Sequence, residues 1–173
     1  MPRILICTNS YPPQIGGLAT YSSQLAIHLG KLDFDVTVLA PKSPGFKAFD
    51  EDRRYKTLRY SSKLNLYQKC LVEIFRTDLV FIVQRGNYLT LAYFINKVLR
   101  RHYVVALHGH EVQSRKRNSI IKQMNHSSGL VPGSKYAADH FKGLGVNPSL
   151  IKVINHGTTP IIKRNLDVRA KYK

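Results

Sequence analysis

Arg3-Ile4-Leu5-Ile6-Cys7 is the short apolar run that decides the fold of this 173-residue chain. The run is too short for a helix, and polar and proline residues follow it, so it predicts a buried strand and then a loop. From Leu18 to Leu29 the apolar residues recur every three or four positions, which predicts one face of a helix that ends at Gly30. The predicted order is strand, loop and helix.

The same alternation continues along the chain. Further strands are predicted at 34–40, 79–83, 103–107, 129–131 and 151–154, and further helices at 64–75, 88–99, 118–126 and 135–141. The charged segment 46–62 receives no assignment. Short strands that alternate with longer helices favour an α/β fold, with a Rossmann-like, doubly wound parallel sheet and helices on both faces. We expect one domain over residues 1–160 and a charged linker or tail over residues 161–173.

The charge of the chain is unusual, because 27 Lys and Arg against 10 Asp and Glu give a net charge of +17. Nucleic acid, an anionic membrane and phosphorylated small molecules would each suit this charge, and so would a merely solvated basic surface. Nucleic acid fits less well, because no nucleic-acid motif is evident. The candidates for binding a membrane or another anion are Arg53, Arg54, Lys56, Arg59, Lys63 and Lys69, and a second group is Lys97, Arg100 and Arg101.

The two cysteines and the hydropathy of the chain indicate its cellular compartment. Cys7 and Cys70 lack metal-ligand spacing, and we expect both to be reduced thiols in the core. No apolar stretch approaches the roughly 18 residues that span a bilayer, and no signal peptide is recognised at the start. We therefore expect a cytoplasmic protein, which could sit peripherally on the inner face of the membrane.

The glycine pair Gly16-Gly17 closes the loop after the first strand and opens the first helix. The backbone N–H groups at a helix start form an anion site, typically for phosphate, and glycine lets a ligand approach closely. A plain turn explains the pair equally well. The loop lacks the Gly-x-Gly-x-x-Gly pattern, which argues against an ordinary NAD-dependent dehydrogenase.

Two further segments follow predicted strands, where ligands bind in open parallel sheets. His108 directly follows strand 103–107 and could hydrogen-bond a sugar hydroxyl or a phosphate, or move a proton; a loop histidine bound to nearby backbone is the alternative. Arg85 and Asn87 follow strand 79–83 and are candidates for substrate binding, as is Glu111; for Arg85 the alternative is a solvated side chain. No metal site is expected, because His110 and Glu111 offer no third ligand at a recognisable spacing.

In this order, the motifs resemble the N-terminal half of the retaining GT-B glycosyltransferases of family 4. The motifs are the opening strand with its glycine loop, the strand at 34–40, the strand after Asp78, the strand ending in His108-Gly109, and the segments 131–141 and 151–157. The resemblance covers nearly the whole chain. It implies that Gly16 and Gly17 approach the diphosphate of a nucleotide-sugar donor, that His108 lies at the reaction centre, and that a glycan or lipid-linked acceptor binds on this domain.

The resemblance also implies that a second domain, in cis or in trans, supplies most of the donor site. The family places two glutamates eight positions apart in that domain, whereas the glutamates here are Glu51, Glu73 and Glu111. The family's Pro-Asn-Gly-Val-Asp turn is replaced by Asn155 to Thr159, which puts any role of its aspartate in doubt. We expect no cofactor, since the nucleotide sugar is a substrate, and we expect the isolated chain to be inactive. A non-catalytic module that binds anionic membrane or another polyanion is the alternative.

Overall fold

A six-stranded parallel sheet forms the centre of the computed structural model, which describes residues 1–84, 87–108 and 117–157. The strands are β1 (Arg3–Cys7), β2 (Asp35–Pro41), β3 (Lys56–Tyr60), β4 (Leu79–Ile82), β5 (His102–Leu107) and β6 (Gly129–Pro132). The helices are α1 (Gly17–Lys31), α2 (Phe46–Glu51), α3 (Lys63–Arg76), α4 (Asn87–Leu99), α5 (Arg117–Asn125) and α6 (Lys135–Gly143). A short 3-10 turn spans Pro148–Leu150.

The strand order is β3-β2-β1-β4-β5-β6, and every pair of neighbours is parallel. The chain first builds the sheet outward from β1 to β3 and then returns to place β4 on the other side of β1. In such a doubly wound sheet the crevice for ligands opens at the carboxyl ends of the strands where the direction reverses. The predicted Rossmann-like α/β fold is confirmed, and this crevice lies beside the ends of β1 and β4.

The sheet separates two apolar clusters, and the alternation along β1 shows both. Leu5 and Cys7 point into the cluster that includes residues of α3, α4 and α5, whereas Ile4 and Ile6 point into the cluster packed against α1. Right-handed crossover connections explain this division. The chain moves in one direction along the sheet from β1 to β3 and in the opposite direction from β3 to β6, so the helices of the two halves cover opposite faces. Burial of both faces explains why β1 reads as a continuous apolar run.

The predicted elements differ from the structure at three places. The unassigned segment 46–62 holds α2 and the edge strand β3, whose five residues include only one buried side chain, so no apolar run announces it. Gly30 does not end α1, which continues to Lys31. The strand predicted at 151–154 was wrong: Ile151 forms an isolated bridge with Leu130, and residues 152–157 are exposed. The predicted tail 161–173 lies outside the described residues.

Candidate functional site

The carboxyl edge of the sheet brings three segments of the chain together. Gly16 and Gly17 follow β1, Val83 follows β4 and His108 follows β5. Parallel strands end at the same edge, so residues that are far apart in sequence meet there. The site residues that the sequence predicted directly after strands therefore lie on the functional edge of this fold type.

The start of α1 differs from the starts of α3 and α6. Ser62 and Ser134 cap the later helices, with their hydroxyl oxygens accepting the N–H groups of Asn65 at 3.2 Å and Ala137 at 3.1 Å. Gly16 is the residue that caps α1, and it offers no side-chain hydrogen bond. The first-turn N–H groups and the positive end of the α1 dipole thus face the carboxyl edge without a side-chain cap.

Packing does not account for glycine at positions 16 and 17. A Cβ atom built on Gly16 or Gly17 would meet no described atom within 4 Å. The backbone of the neighbouring Ile15 is equally open, and its side chain is fully exposed. A ligand could therefore approach the backbone at the start of α1 closely, which is what an anion site at a helix N-terminus requires.

The His108 ring is held in a defined orientation. Its Nε2–H lies 2.9 Å from the Val83 carbonyl oxygen and donates to it, since a carbonyl can only accept. A neutral imidazole protonated at Nε2 carries its lone pair on Nδ1. His108 is half-buried and thus both fixed and accessible. The structure shows the backbone anchorage that the sequence left as an alternative, and that anchorage is compatible with a role at the edge of the site.

His108 belongs to a cluster with Tyr21 of α1 and His156, which follows Ile151. The rings of His108 and His156 are stacked, with centroids 5.6 Å apart and planes 12° apart. The Tyr21 ring stands edge-on to both, at 5.5 Å from His108 and 5.1 Å from His156. Burial raises the pKa of Tyr21 above its ordinary value, so its hydroxyl stays protonated at neutral pH. The cluster offers hydrogen-bonding groups of the kind that bind sugar hydroxyls.

Gly133 makes room for His156 in this cluster. A Cβ atom on Gly133 would lie 2.1 Å from Nε2 of His156. We expect Gly133→Ala to push the exposed His156 ring away from His108 while the free energy of unfolding changes by less than about 0.5 kcal/mol, because an exposed ring can swing into solvent. The chemical shifts of the imidazole protons of both histidines would report the displacement.

The matched control is Gly143→Ala, since a Cβ atom on Gly143 meets nothing within 4 Å. That variant should leave both imidazole spectra unchanged. Unchanged spectra in Gly133→Ala would contradict the stacking of His156 on His108.

A tyrosine network that the sequence did not predict continues this edge. The Tyr88 hydroxyl donates to the carbonyl oxygen of Thr8 at 2.9 Å and lies 2.8 Å from the hydroxyl of Tyr60. Because the Tyr88 proton goes to Thr8, Tyr60 donates to Tyr88, and the Tyr60 hydroxyl oxygen also lies 3.4 Å from Oδ1 of Asn9. Burial raises the pKa of both tyrosines, which keeps the phenols neutral. Asn9 follows β1 and could have been found by the rule that singled out His108, whereas Tyr60 ends β3, a strand that the sequence did not reveal.

The predicted substrate-binding residues are only partly described. Asn87 is exposed at the start of α4, which follows β4. Arg85 and Glu111 lie outside the described residues, and so do Gly109 and His110. Within the part of the chain that is described, no group of three His, Cys, Asp or Glu side chains is placed to hold a metal ion.

The basic candidates do not form one surface. Arg59 is buried, and its guanidinium binds Asp50 and the carbonyl oxygens of Pro12 and Pro41, so it cannot reach a membrane. The side chain of Lys56 is half exposed and forms a 2.9 Å ion pair with the buried Glu73. Arg53 lies 4.0 Å over the ring of Phe49. The remaining members, which lie at the surface or partly so, are Arg54, Lys63 and Lys69. No helix among the described residues is long and apolar enough to span a membrane.

Comparison with known proteins shows the family to which the chain belongs. A family model described as Glycosyltransferase Family 4 matches residues 15–160. A GDP-mannose-dependent alpha-(1-6)-phosphatidylinositol monomannoside mannosyltransferase of Mycobacterium tuberculosis is 36% identical over 70 residues, which are 38% of this chain and 18% of the relative.

Solved structures share the fold at low sequence identity. A glycosyltransferase from Rickettsia africae superposes with a TM-score of 0.70 at 16% identity, over 91% of this chain and 44% of that one. Anabaena HepE, solved in complex with UDP and glucose, gives a TM-score of 0.66 at 20% identity, over 91% of this chain and 45% of that one. The chain thus spans less than half the length of these proteins.

Proposed function

This chain belongs to glycosyltransferase family 4, and on that premise we propose that it is the acceptor-binding half of an enzyme that transfers a sugar from a nucleotide-sugar donor. The observation that carries the proposal is the position of the His108 ring, fixed by the Val83 carbonyl at the edge where α1 begins without a side-chain cap. Anabaena HepE, which shares this fold, was solved in complex with UDP and glucose, and this supports a nucleotide-sugar donor for the present chain. The donor is a substrate, and the reaction needs no cofactor.

Under this proposal each part of the site has a distinct task. The N–H groups at Gly16 and Gly17 bind the donor diphosphate, because a helix start favours anions. His108 contacts the transferred sugar or the acceptor at the reaction centre. Asn87, together with Arg85 and Glu111, binds the acceptor, and the phenol of Tyr60 beside Asn9 adds a neutral hydrogen-bonding group.

A lipid-linked acceptor is part of the proposal. The mycobacterial relative is named for transfer to a phosphatidylinositol monomannoside, and its matching segment covers 38% of this chain. The net charge of +17 suits an acceptor that carries phosphate or is embedded among anionic lipids. The enzyme would then work on the cytoplasmic face of a membrane.

The proposed sugar transfer needs a second domain. The chain covers only 44% of the Rickettsia glycosyltransferase, and it lacks the two glutamates eight positions apart that the family resemblance places in the donor domain. Stabilisation of the leaving diphosphate is commonly the largest catalytic contribution, so its loss should abolish turnover. The second domain follows in the same polypeptide or comes from a separate chain.

The test compares the isolated chain with a complete enzyme. The intact mass of the gene product first shows whether a second domain is attached. The isolated chain should release no UDP from UDP-glucose and no GDP from GDP-mannose above the uncatalysed rate, whereas addition of the donor-binding domain should restore release when acceptor lipid is present. Nucleotide release by the isolated chain would contradict the division of labour between the two halves.

A further inference from the structure

The outward face of α3 is apolar, although the solvent side of a surface helix is normally polar. Leu66, Cys70 and Ile74 point into the core, and the opposite side of the helix carries large exposed side chains. Leu64 is 67% exposed and Phe75 is 52% exposed. The exposed large apolar side chains of α3 are Leu64, Tyr67, Leu71, Val72 and Phe75, and the exposed polar residues Lys63, Gln68 and Arg76 lie among them or at the helix ends.

The neighbouring helix α4 extends this apolar surface. Its exposed apolar residues are Phe94, Val98 and Leu99, and Val98 is 77% exposed. Both helices pack into the same core cluster and therefore cover the same face of the sheet. The guanidinium of Arg101, just beyond α4, donates to the carbonyl oxygen of Phe75 at 3.2 Å, so the carboxyl ends of the two helices meet. We call these eight exposed side chains the α3–α4 surface.

Cations border the α3–α4 surface, and the exposed acidic residue just beyond α3, Asp78, is paired with Arg3 at 3.2 Å. Lys69 and Arg76 are seven residues apart and lie on one flank of the outward face of α3. Lys97 and Arg100 lie at the end of α4. The only acidic residue in either helix is Glu73, which is buried and paired with Lys56 at 2.9 Å. The surface thus combines a broad apolar area with an uncompensated positive border.

We propose that the α3–α4 surface docks on an anionic lipid bilayer, with its apolar side chains in the interface and its lysines and arginines among the headgroups. An apolar face bordered by Lys and Arg is typical of helices that lie in a membrane interface, and anionic lipids attract such a border. Exposed apolar side chains that are grouped on neighbouring helices and bordered by polar residues mark an interaction surface. The inference goes beyond the proposed transfer reaction, because it needs neither donor nor acceptor.

A second copy of the chain fits this surface less well than a bilayer. Two copies related by a two-fold axis would bring the same surface of each together. The positive borders would then face one another, on chains that each carry a net charge of +17. An anionic bilayer instead neutralises the border, so charge complementarity favours lipid.

A single tryptophan provides the first test, because the chain contains no Trp. Phe75→Trp should give a blue-shifted, brighter emission when vesicles of equal parts phosphatidylcholine and phosphatidylglycerol are added, and brominated acyl chains should quench it. Leu32→Trp, on a residue that is 67% exposed at the end of α1, is the control and should not respond. No spectral change at position 75, or equal changes at both positions, would overturn the proposal.

Vesicle co-sedimentation without nucleotide sugar provides the second test. Leu64 and Leu32 are equally exposed at 67%, and Leu32 directly follows α1, which covers the opposite face of the sheet, so Leu64→Glu and Leu32→Glu form a matched pair. Leu64→Glu combined with Phe75→Glu should lower the partition coefficient at least about tenfold. Leu32→Glu should leave it within about twofold, and Arg76→Gln should lower it about fivefold and flatten its salt dependence.

The outcomes separate lipid docking from its rivals. Unchanged sedimentation of the Leu64/Phe75 double variant would show that the net charge alone adsorbs the protein, and the proposal would fail. Absence of sedimentation by the unmodified chain, together with a dimer in size-exclusion chromatography that the double variant abolishes, would assign the surface to a second copy instead. Since no donor is present, none of these results depends on the proposed transfer reaction.

Discussion

Replacing Arg59 by methionine should lower the free energy of unfolding by about 3 kcal/mol, which is a large share of the stability of a domain this size. Arg59 donates to both carboxylate oxygens of Asp50, at 2.9 and 2.8 Å, and to the carbonyl oxygens of Pro41 at 3.0 Å and Pro12 at 2.6 Å. Its guanidinium also lies 5.0 Å from the centroid of the Tyr11 ring. Methionine fills a similar volume but satisfies none of these acceptors.

The loss of stability in Arg59→Met arises mainly from the hydrogen-bond acceptors that lose their partner. The side chain of Asp50 is only 18% exposed and would be left as a poorly solvated charge, so the loss should lie near the lower end of that for a fully buried pair. Urea titration measures it. Arg54→Met, at an exposed arginine, is the matched control and should change stability by less than about 0.5 kcal/mol.

A double variant separates the charge from the packing. Asp50→Asn added to Arg59→Met should recover part of the stability, because it removes the unpaired carboxylate. A loss below about 1 kcal/mol in Arg59→Met would place Arg59 among ordinary surface arginines and contradict the structure. Because Arg59 also holds the Pro12 carbonyl, the variant should loosen the loop that leads to Gly16.

The second large effect concerns catalysis. His108→Ala, in the polypeptide or complex that joins this chain to its donor-binding domain, should lower kcat about 100-fold or more, the usual effect of removing one group that stabilises the transition state by a direct contact. The expected change lies mainly in kcat, because His108 is proposed to act at the reaction centre rather than to provide general affinity. Steady-state rates with saturating donor and acceptor measure it.

Two controls keep the His108 prediction falsifiable. His28→Ala removes an exposed histidine from α1 and should leave kcat within about twofold. His108→Gln keeps an N–H group that can donate to the Val83 carbonyl, so it would restore activity if His108 only anchors the loop. Recovery of most of the rate by His108→Gln would therefore reduce His108 to a structural residue.

The sequence predicted the elements whose signals are local. β1, β2, β4, β5 and β6 are short apolar runs because parallel strands are buried on both faces, and all of them were recognised within one or two residues. β3 was missed because Lys56 and Arg59 interrupt its apolar pattern. The segment predicted as a strand at 151–154 is bonded to β6 by the N–H groups of Lys152 and Ile154, but it forms only an isolated bridge at Ile151.

The sequence also placed the candidate site residues at the carboxyl edge of the sheet but could not assemble them. His108, Gly16 and Gly17 were found because each follows a strand or opens a helix, and parallel strands end at one edge. Contacts between His108, Tyr21 and His156 depend on how three separate segments pack, and only the structure shows them. The same holds for Arg59, which reads as one more basic residue until its partner Asp50 and its burial are seen.

The amino-acid sequence by itself determined the fold class and the strand ends from which the site is built, because these depend on apolar periodicity and on residues adjacent in the chain; the family followed from the resemblance of its motifs and from the family match. Only the tertiary structure decided which sides of the helices face solvent. In α3 one stripe contains Leu66, Cys70 and Ile74, while the opposite stripe contains Leu64, Leu71 and Phe75, and both are apolar at helical spacing. Apolar periodicity cannot predict which of the two stripes is buried, because both have the same spacing. Packing against the sheet buries the stripe with Leu66, Cys70 and Ile74 and leaves the stripe with Leu64, Leu71 and Phe75 exposed.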